Sequence, residues 1–199
     1  MTQGFAMSRI SKDSEYYKGA HTEEEFMIYH SGKYAKRNEV LIGQLLSVMP
    51  PSAHVLDLAA GSSYIAERLL TRPAASIESY TWNDFNPKLV ETVKDRVSDP
   101  RFIIDPFDAD ADDVSLEKYD VFICISLEHL EADIEILSKL KPGCIVSICS
   151  PNFDDPAHVR VFTSMKQFRE RYSPVIQISH ENICRNGHEE KYVVTGVKK

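Results

Sequence analysis

Val55-Leu56-Asp57-Leu58-Ala59-Ala60-Gly61-Ser62-Ser63-Tyr64-Ile65-Ala66-Glu67-Arg68-Leu69-Leu70 is the stretch on which the reading of this chain turns. Val55, Leu56 and Leu58 form a short apolar run with the character of a buried strand. Ala59 to Ser63 are small, so backbone there can approach a ligand closely. Ile65, Ala66, Leu69 and Leu70 then recur at the spacing of one helix face, with Glu67 and Arg68 outward. A strand, a tight turn and a helix place the Asp57 carboxylate and free helix N–H groups at the mouth of a parallel sheet. Nucleotide-like ligands bind there in open α/β folds.

The flanking sequence alternates in the same way. Apolar strand candidates fall at 54–59, 78–83, 101–104, 120–126 and 143–149, and helix candidates at 62–71, 87–97 and 131–140, with a short one at 114–118. Such alternation signals βαβ units and a parallel sheet. Lys141-Pro142-Gly143 stops the chain ahead of the fifth strand. Thr163 to Tyr172 reads as a further helix with Thr163 as its N-cap. Two last strands, 175–180 and 191–197, flank a polar turn around Arg185-Asn186-Gly187 and so form an antiparallel hairpin. Before the sheet, Ser14 to Met49 has helical patterning that ends at Pro50-Pro51.

The reading is therefore a three-layer, doubly wound α/β sheet, Rossmann-like and mostly parallel, with a C-terminal antiparallel hairpin. It forms one domain over 1–199, with an N-terminal helical cap at 1–50 and a sheet core at 51–199.

Composition narrows the function. Hydrophobic content of 43% and charged content of 27% suit a globular protein. No stretch nears the roughly 20 apolar residues of a membrane span. Met1 to Ser14 lacks the apolar segment of a secretory signal, so a cytoplasmic protein is expected. Cys124, Cys144, Cys149 and Cys184 have no metal-like spacing and read as reduced core thiols. A net charge of −7, with its densest run the acidic Asp105 to Asp113, disfavours a nucleic-acid partner.

On Asp57, Ala59, Gly61 and Ser63 the chain resembles the class I S-adenosylmethionine-dependent methyltransferases, whose first motif reads acid-x-Gly-x-Gly-x-Gly. Ala59 and Ser63 stand where two of those glycines are common. A Ser63 side chain would sit beside the methionine part of the cofactor, either donating a hydrogen bond to it or weakening its binding. A dinucleotide-binding dehydrogenase is the rival, but its fingerprint wants a last glycine where Tyr64 stands.

The resemblance implies roles for residues further along. Asp84, 27 positions after Asp57, takes the ribose hydroxyls, with Phe85 beside it. Asp108 and Ala109 meet the adenine, with Asp105 in reserve and Phe107 against the ring face. Ser126 and Leu127 border the cofactor after the fourth strand. His129, in Leu127-Glu128-His129, faces the substrate or the methionine end as the candidate catalytic base. Asn152, His158 and Arg160 follow the fifth strand as substrate contacts. Tyr17 and Tyr29, in the aromatic-rich leading segment, close over the site.

Glu128, His129 and His158 also suggest metal ligands of the kind used by small-RNA 2′-O-methyltransferases. The cluster is less full than in those enzymes and the chain is acidic, so no metal is expected. The implied function is methyl transfer from S-adenosylmethionine to a small molecule. The alternative is a non-catalytic module that binds this cofactor or its demethylated product and acts through protein partners.

Overall fold

The computed structural model describes residues 34–155 and 158–199. Its centre is a seven-stranded sheet in the order β3-β2-β1-β4-β5-β7-β6. The strands are β1 (Ala53–Asp57), β2 (Ile77–Trp82), β3 (Phe102–Ile104), β4 (Val121–Cys124), β5 (Ile145–Pro151), β6 (Ile176–Asn186) and β7 (Glu189–Lys198). Strands β1 to β5 pair in parallel, whereas β7 pairs antiparallel with both β5 and β6. The chain runs outward from β1 through β2 to β3, then returns to the far side of β1 for β4 and β5. Loops leaving β1 and β4 therefore diverge in opposite directions, which opens a crevice at their carboxyl ends.

Alternation along the strands feeds two cores. Val55, Val121 and Ile123 point to one face, where they meet Leu41, Ile42 and Leu45 of α1 (Ala35–Val48), Ile65 and Leu69 of α2 (Tyr64–Leu70), and Leu89 and Val93 of α3 (Pro87–Lys94). Leu56, Phe122 and Cys124 point to the other face, against Ile136 and Leu137 of α4 (Asp133–Ser138) and Phe168 and Tyr172 of α5 (Met165–Tyr172). Burial on both sides is why these strands are continuously apolar. All four cysteines are free and buried. No helix among the described residues is long and apolar enough to cross a membrane.

Helix ends follow local chemistry. Asn86 caps α3 by accepting the Lys88 N–H, and Pro87 occupies the first turn, where its missing donor costs nothing. The cap of α5 is Ser164, one residue beyond the Thr163 that the sequence suggested. Ser164 accepts the Gln167 N–H at 3.3 Å, while the Gln167 side chain reaches back to the Thr163 N–H at 3.0 Å.

The helix expected at 114–118 does not form. There the Val114 N–H bonds back to the Asp112 carbonyl at 3.0 Å and the Tyr119 N–H to the Leu116 carbonyl at 3.3 Å, isolated turns that do not propagate. That crossover is covered by loop residues Val114, Leu116 and Tyr119. Strand β6 runs to Asn186, well past the expected 180, because its exposed polar side chains suit the edge it occupies. Of the leading helical region only α1 lies within the described residues; Tyr17 and Tyr29 lie outside them.

Gly196 has no room for a side chain. It pairs with Ile178, and a Cβ there would lie 2.4 Å from the Gln177 carbonyl oxygen and 2.8 Å from the Ile178 Cα. Both obstacles are backbone. Gly196→Ala is therefore expected to destabilise the protein by about 2–3 kcal/mol, read as a lower urea midpoint with unchanged slope; an unshifted midpoint would show that the hairpin yields freely.

Candidate functional site

The crevice begins at the turn that follows β1. The Ala60 N–H donates to the Asn83 carbonyl and the Asn83 N–H to the Asp57 carbonyl, both at 2.9 Å, so the ends of β1 and β2 are locked together. Two residues of the turn take left-handed backbone, Ala59 (φ 50°) and Gly61 (φ 61°). For Ala59 this costs roughly 1–2 kcal/mol relative to right-handed backbone. A Cβ built on Gly61 meets no atom within 4 Å, so open space lies in front of that residue.

Ser63 has an ordinary φ of −75°, which explains why a glycine is not required there. Its buried hydroxyl donates to Glu67 of α2 at 2.6 Å. The side chain at this departure from the glycine pattern is thus bonded to its own helix.

Two carboxylates close the turn from below and from the side. Asp57 is fully buried, and its Oδ2 accepts the Tyr80 hydroxyl at 2.6 Å, while Oδ1 has no hydrogen-bond partner. Burial pushes its pKa up to about 7; the Tyr80 bond opposes this and the nearby Asp84 charge adds to it. Asp84 accepts the Gly61 N–H on Oδ2 at 3.1 Å and the Asn86 N–H on Oδ1 at 2.9 Å. Burial raises its pKa against those two bonds and the neighbouring His129. Phe85 beside it is a large exposed apolar ring.

The loop after β3 is fastened by Asn83, whose amide donates to the carbonyls of Asp105 (2.9 Å) and Phe107 (3.1 Å). Asp108 and Ala109 form a self-contained turn, with the Asp108 carboxylate engaged by the Asp110 N–H. Phe107 and Ala109 pack against the second core, beside Leu58, Leu116 and Ile136. Asp110 reaches across to the Glu131 and Ala132 N–H groups and so ties this loop to the one after β4.

After β4 the chain turns through Ser126 into a short 3₁₀ segment, Leu127–His129. Leu127 is fully buried in the second core, and Glu128 is buried as well. His129 is within electrostatic reach of Asp84 and its ring lies 5.0 Å from that of His158. The Val159 N–H donates to the Glu128 carbonyl at 2.9 Å, which holds the segment after β5 against this turn.

Two of the expected substrate contacts are committed elsewhere. Asn152 exchanges hydrogen bonds with the Glu190 backbone, its Oδ1 accepting at 2.9 Å, and so extends the β5–β7 pairing. The Arg160 guanidinium donates to the carbonyls of Leu130 (2.6 Å) and Glu131 (3.1 Å) and pairs with Asp133 at 3.0 Å. Asp133 is fully buried and also receives Arg171 and the Tyr172 hydroxyl, which together hold its carboxyl below the usual range despite burial. Arg160 is a brace between the loop and α4.

Four residues that sequence reasoning passed over shape this end of the sheet. Tyr80 and Asn83 hold the turn. Arg37 of α1 is buried, with its guanidinium on the Asn38 side chain and over the Tyr34 ring. Lys191 of β7 is buried, its ammonium over the rings of Phe153 (4.5 Å) and Tyr34 (4.9 Å), and burial lowers its pKa. Asn83 had a signal, since it precedes Asp84 at a strand end. Arg37 and Lys191 had none, because a single basic residue in a helix or strand normally faces water.

The Asp57 proton has a measurable consequence. Its folded pKa of about 7 lies above the ordinary value near 3.9 of an unfolded chain, so the folded state holds the proton more tightly. The corresponding stability is complete in acid and is lost as pH rises from about 4 through 7. Between pH 5 and pH 8 the loss from this group is about 2–3 kcal/mol. Urea denaturation should show Asp57→Asn losing less stability than wild type over that interval; identical pH slopes would place Asp57 at an ordinary pKa.

No protein-family model matches the chain, and no curated protein matches it in sequence. Solved structures do. Magnesium protoporphyrin IX methyltransferase (ChlM) from Synechocystis PCC 6803, with bound SAH, superposes with a TM-score of 0.70 over 93% of this chain and 97% of its own, at 13% identity. A SAM-dependent methyltransferase from Aquifex aeolicus gives 0.66 over 90% and 100%, at 10% identity. The [4+2]-cyclase SpnF gives 0.63 over 82% and 80%, at 12% identity. At such identities the likeness speaks for architecture, and one architecture hosts several reactions. The chain has the fold of the class I S-adenosylmethionine-dependent methyltransferases.

Proposed function

We propose that this protein is an S-adenosylmethionine-dependent methyltransferase acting on O, N or C of a small molecule. The observation that carries the reading is the Asp84 carboxylate, fixed by the Gly61 and Asn86 N–H groups at the joined ends of β1 and β2 beside the crevice. Each of its oxygens keeps a lone pair for a ribose hydroxyl. The open space before Gly61, the exposed Phe85 ring and the unpartnered Asp57 Oδ1 fit a nucleoside with a cationic tail. For the adenine edge we take Asp105 ahead of Asp108, because the Asp108 carboxylate already accepts the Asp110 N–H.

When bound, S-adenosylmethionine supplies a methyl group on a sulfonium that is already a strong electrophile. In-line attack forms the bond from acceptor to carbon as the carbon–sulfur bond breaks and its pair stays on sulfur. The protein's part is alignment and exclusion of water. His129, partly exposed at the same crevice edge, brings a basic side chain to an acceptor that must shed a proton. The acidic net charge supports a small-molecule substrate over a nucleic acid, and a cytoplasmic site of action belongs to the same proposal.

Calorimetric titration with S-adenosylhomocysteine tests the cofactor site. Asp84→Ala should weaken binding about 100-fold or more, the scale of two hydrogen bonds to a charged group, with the circular dichroism spectrum retained. Unchanged affinity would remove Asp84 from the site. His129→Ala should cut methyl transfer to a responsive acceptor far more than it cuts cofactor affinity. Tight binding with no transfer to any acceptor across a broad metabolite panel would turn the reading toward a non-catalytic binder.

A further inference from the structure

The 3₁₀ turn after β4 and the segment after β5 bring Glu128, His129 and His158 together, with their ligand atoms all within 4.8 Å of one another. Glu128 Oε1 lies 3.9 Å from His129 Nε2 and 3.8 Å from His158 Nε2, beyond hydrogen-bond range of both. The side chains of Glu128 and His158 are only 6% and 5% exposed, whereas that of His129 is 31% exposed.

The tautomer of His158 is set by its surroundings. Its Nδ1 lies 3.1 Å from the Phe153 carbonyl oxygen, which can only accept, so Nδ1 carries the proton of the neutral ring. Nε2 then presents a bare lone pair toward a carboxylate oxygen. The second oxygen of Glu128 is buried with no hydrogen-bond partner. Lys191 is a cation that feels Glu128, but its ammonium sits over the Phe153 and Tyr34 rings and forms no ion pair with the carboxylate. The His158 imidazole and the Glu128 carboxylate thus converge with lone pairs turned toward each other, and the His129 imidazole stands beside them. A backbone carbonyl on the far nitrogen is the usual outer support of a metal-binding histidine.

We propose that Glu128, His129 and His158 bind a divalent transition-metal cation. Two nitrogens and one carboxylate suit Zn²⁺, Mn²⁺, Fe²⁺ or Co²⁺ better than Ca²⁺ or Mg²⁺, which prefer oxygen throughout. Metal bonds of about 2.0–2.2 Å ask each donor to move inward by only about half an ångström. The most exposed ligand, His129, faces the Asp84 side of the crevice, so the remaining coordination positions open there. Resting on the methyltransferase reading, those positions take an acceptor that offers an oxygen ligand, such as a hydroxyl next to a second oxygen. The cation would lower the pKa of that hydroxyl, whose proton would pass to solvent water, and His129 would serve as a ligand of the cation in place of a base.

The test uses the full chain, freed of any affinity tag and stripped with a chelator. Co²⁺ titration followed by visible absorption should saturate at one equivalent, and Zn²⁺ should compete for the same site. His158→Ala and Glu128→Gln should each weaken Co²⁺ binding about 100-fold or more, with the circular dichroism spectrum unchanged. His129→Ala, at the most exposed ligand, should do the same and serves if a buried variant misfolds. His180→Ala, on the exposed edge strand, should bind as wild type does.

Absence of saturable uptake by the wild type overturns the proposal, and so does wild-type affinity in all three ligand variants. S-adenosylhomocysteine titration on the same samples keeps the two readings apart. Cation uptake without nucleoside binding leaves the metal site standing and removes the methyltransferase; nucleoside binding without cation uptake does the reverse.

Discussion

One carboxylate ties the crevice together. Asp84 accepts an N–H from Gly61 in the turn after β1 and an N–H from Asn86 at the cap of α3, so a single side chain fixes the glycine turn against the end of β2. The parallel sheet makes this possible, because it brings the ends of β1 and β2 side by side and with them Gly61 and Asp84, 23 residues apart in the chain. Asn83 extends the same lock to the loop after β3, and Asp110 carries it to the loop after β4. The carboxyl edge of the sheet is thus a chain of loops in which a side chain of each holds the backbone of the next.

The arrangement concentrates unfavourable local terms in a small space. Asp57 is buried with one unpartnered oxygen beside a second buried acid, and Ala59 carries a side chain on left-handed backbone. Glu128 is likewise buried with an oxygen unmatched. Asp133, by contrast, is buried with Arg160, Arg171 and the Tyr172 hydroxyl all on its carboxylate. Left-handed backbone at Ser52 and the unmatched Tyr119 hydroxyl occur at the opposite edge too, so what sets the carboxyl edge apart is its unmatched buried carboxylates.

The sheet was legible because a strand buried on both faces must be apolar for its whole length and a covering helix must repeat every three to four residues. Val55 to Leu58, Val121 to Cys124 and Ile145 to Cys149 carry that signal without interference, and the hairpin followed from its polar turn. The helix expected at 114–118 failed because so short a stretch cannot sustain helical bonding, and its apolar residues Val114 and Leu116 pack on the second core as a loop. Thr163 and Ser164 are both sound caps by composition, and only the position of Gln167 separates them.

For the site, residue type and order along the chain pointed to Asp57, Gly61, Asp84 and the Glu128-His129 pair, because those positions follow directly from strand ends. Partner identity was another matter. That Arg160 braces Asp133 and that Asn152 extends a strand pair depend on groups brought close by folding. The meeting of His158 with Glu128 spans the crossover from β4 to β5, and Lys191 arrives at the same end from the antiparallel hairpin. Sequence alone determined the layers and the edge of the sheet where a ligand belongs, since both are consequences of short-range periodicity and strand direction. Tertiary structure alone decided which polar groups face one another there, since distance between side chains is set by packing and leaves no local trace.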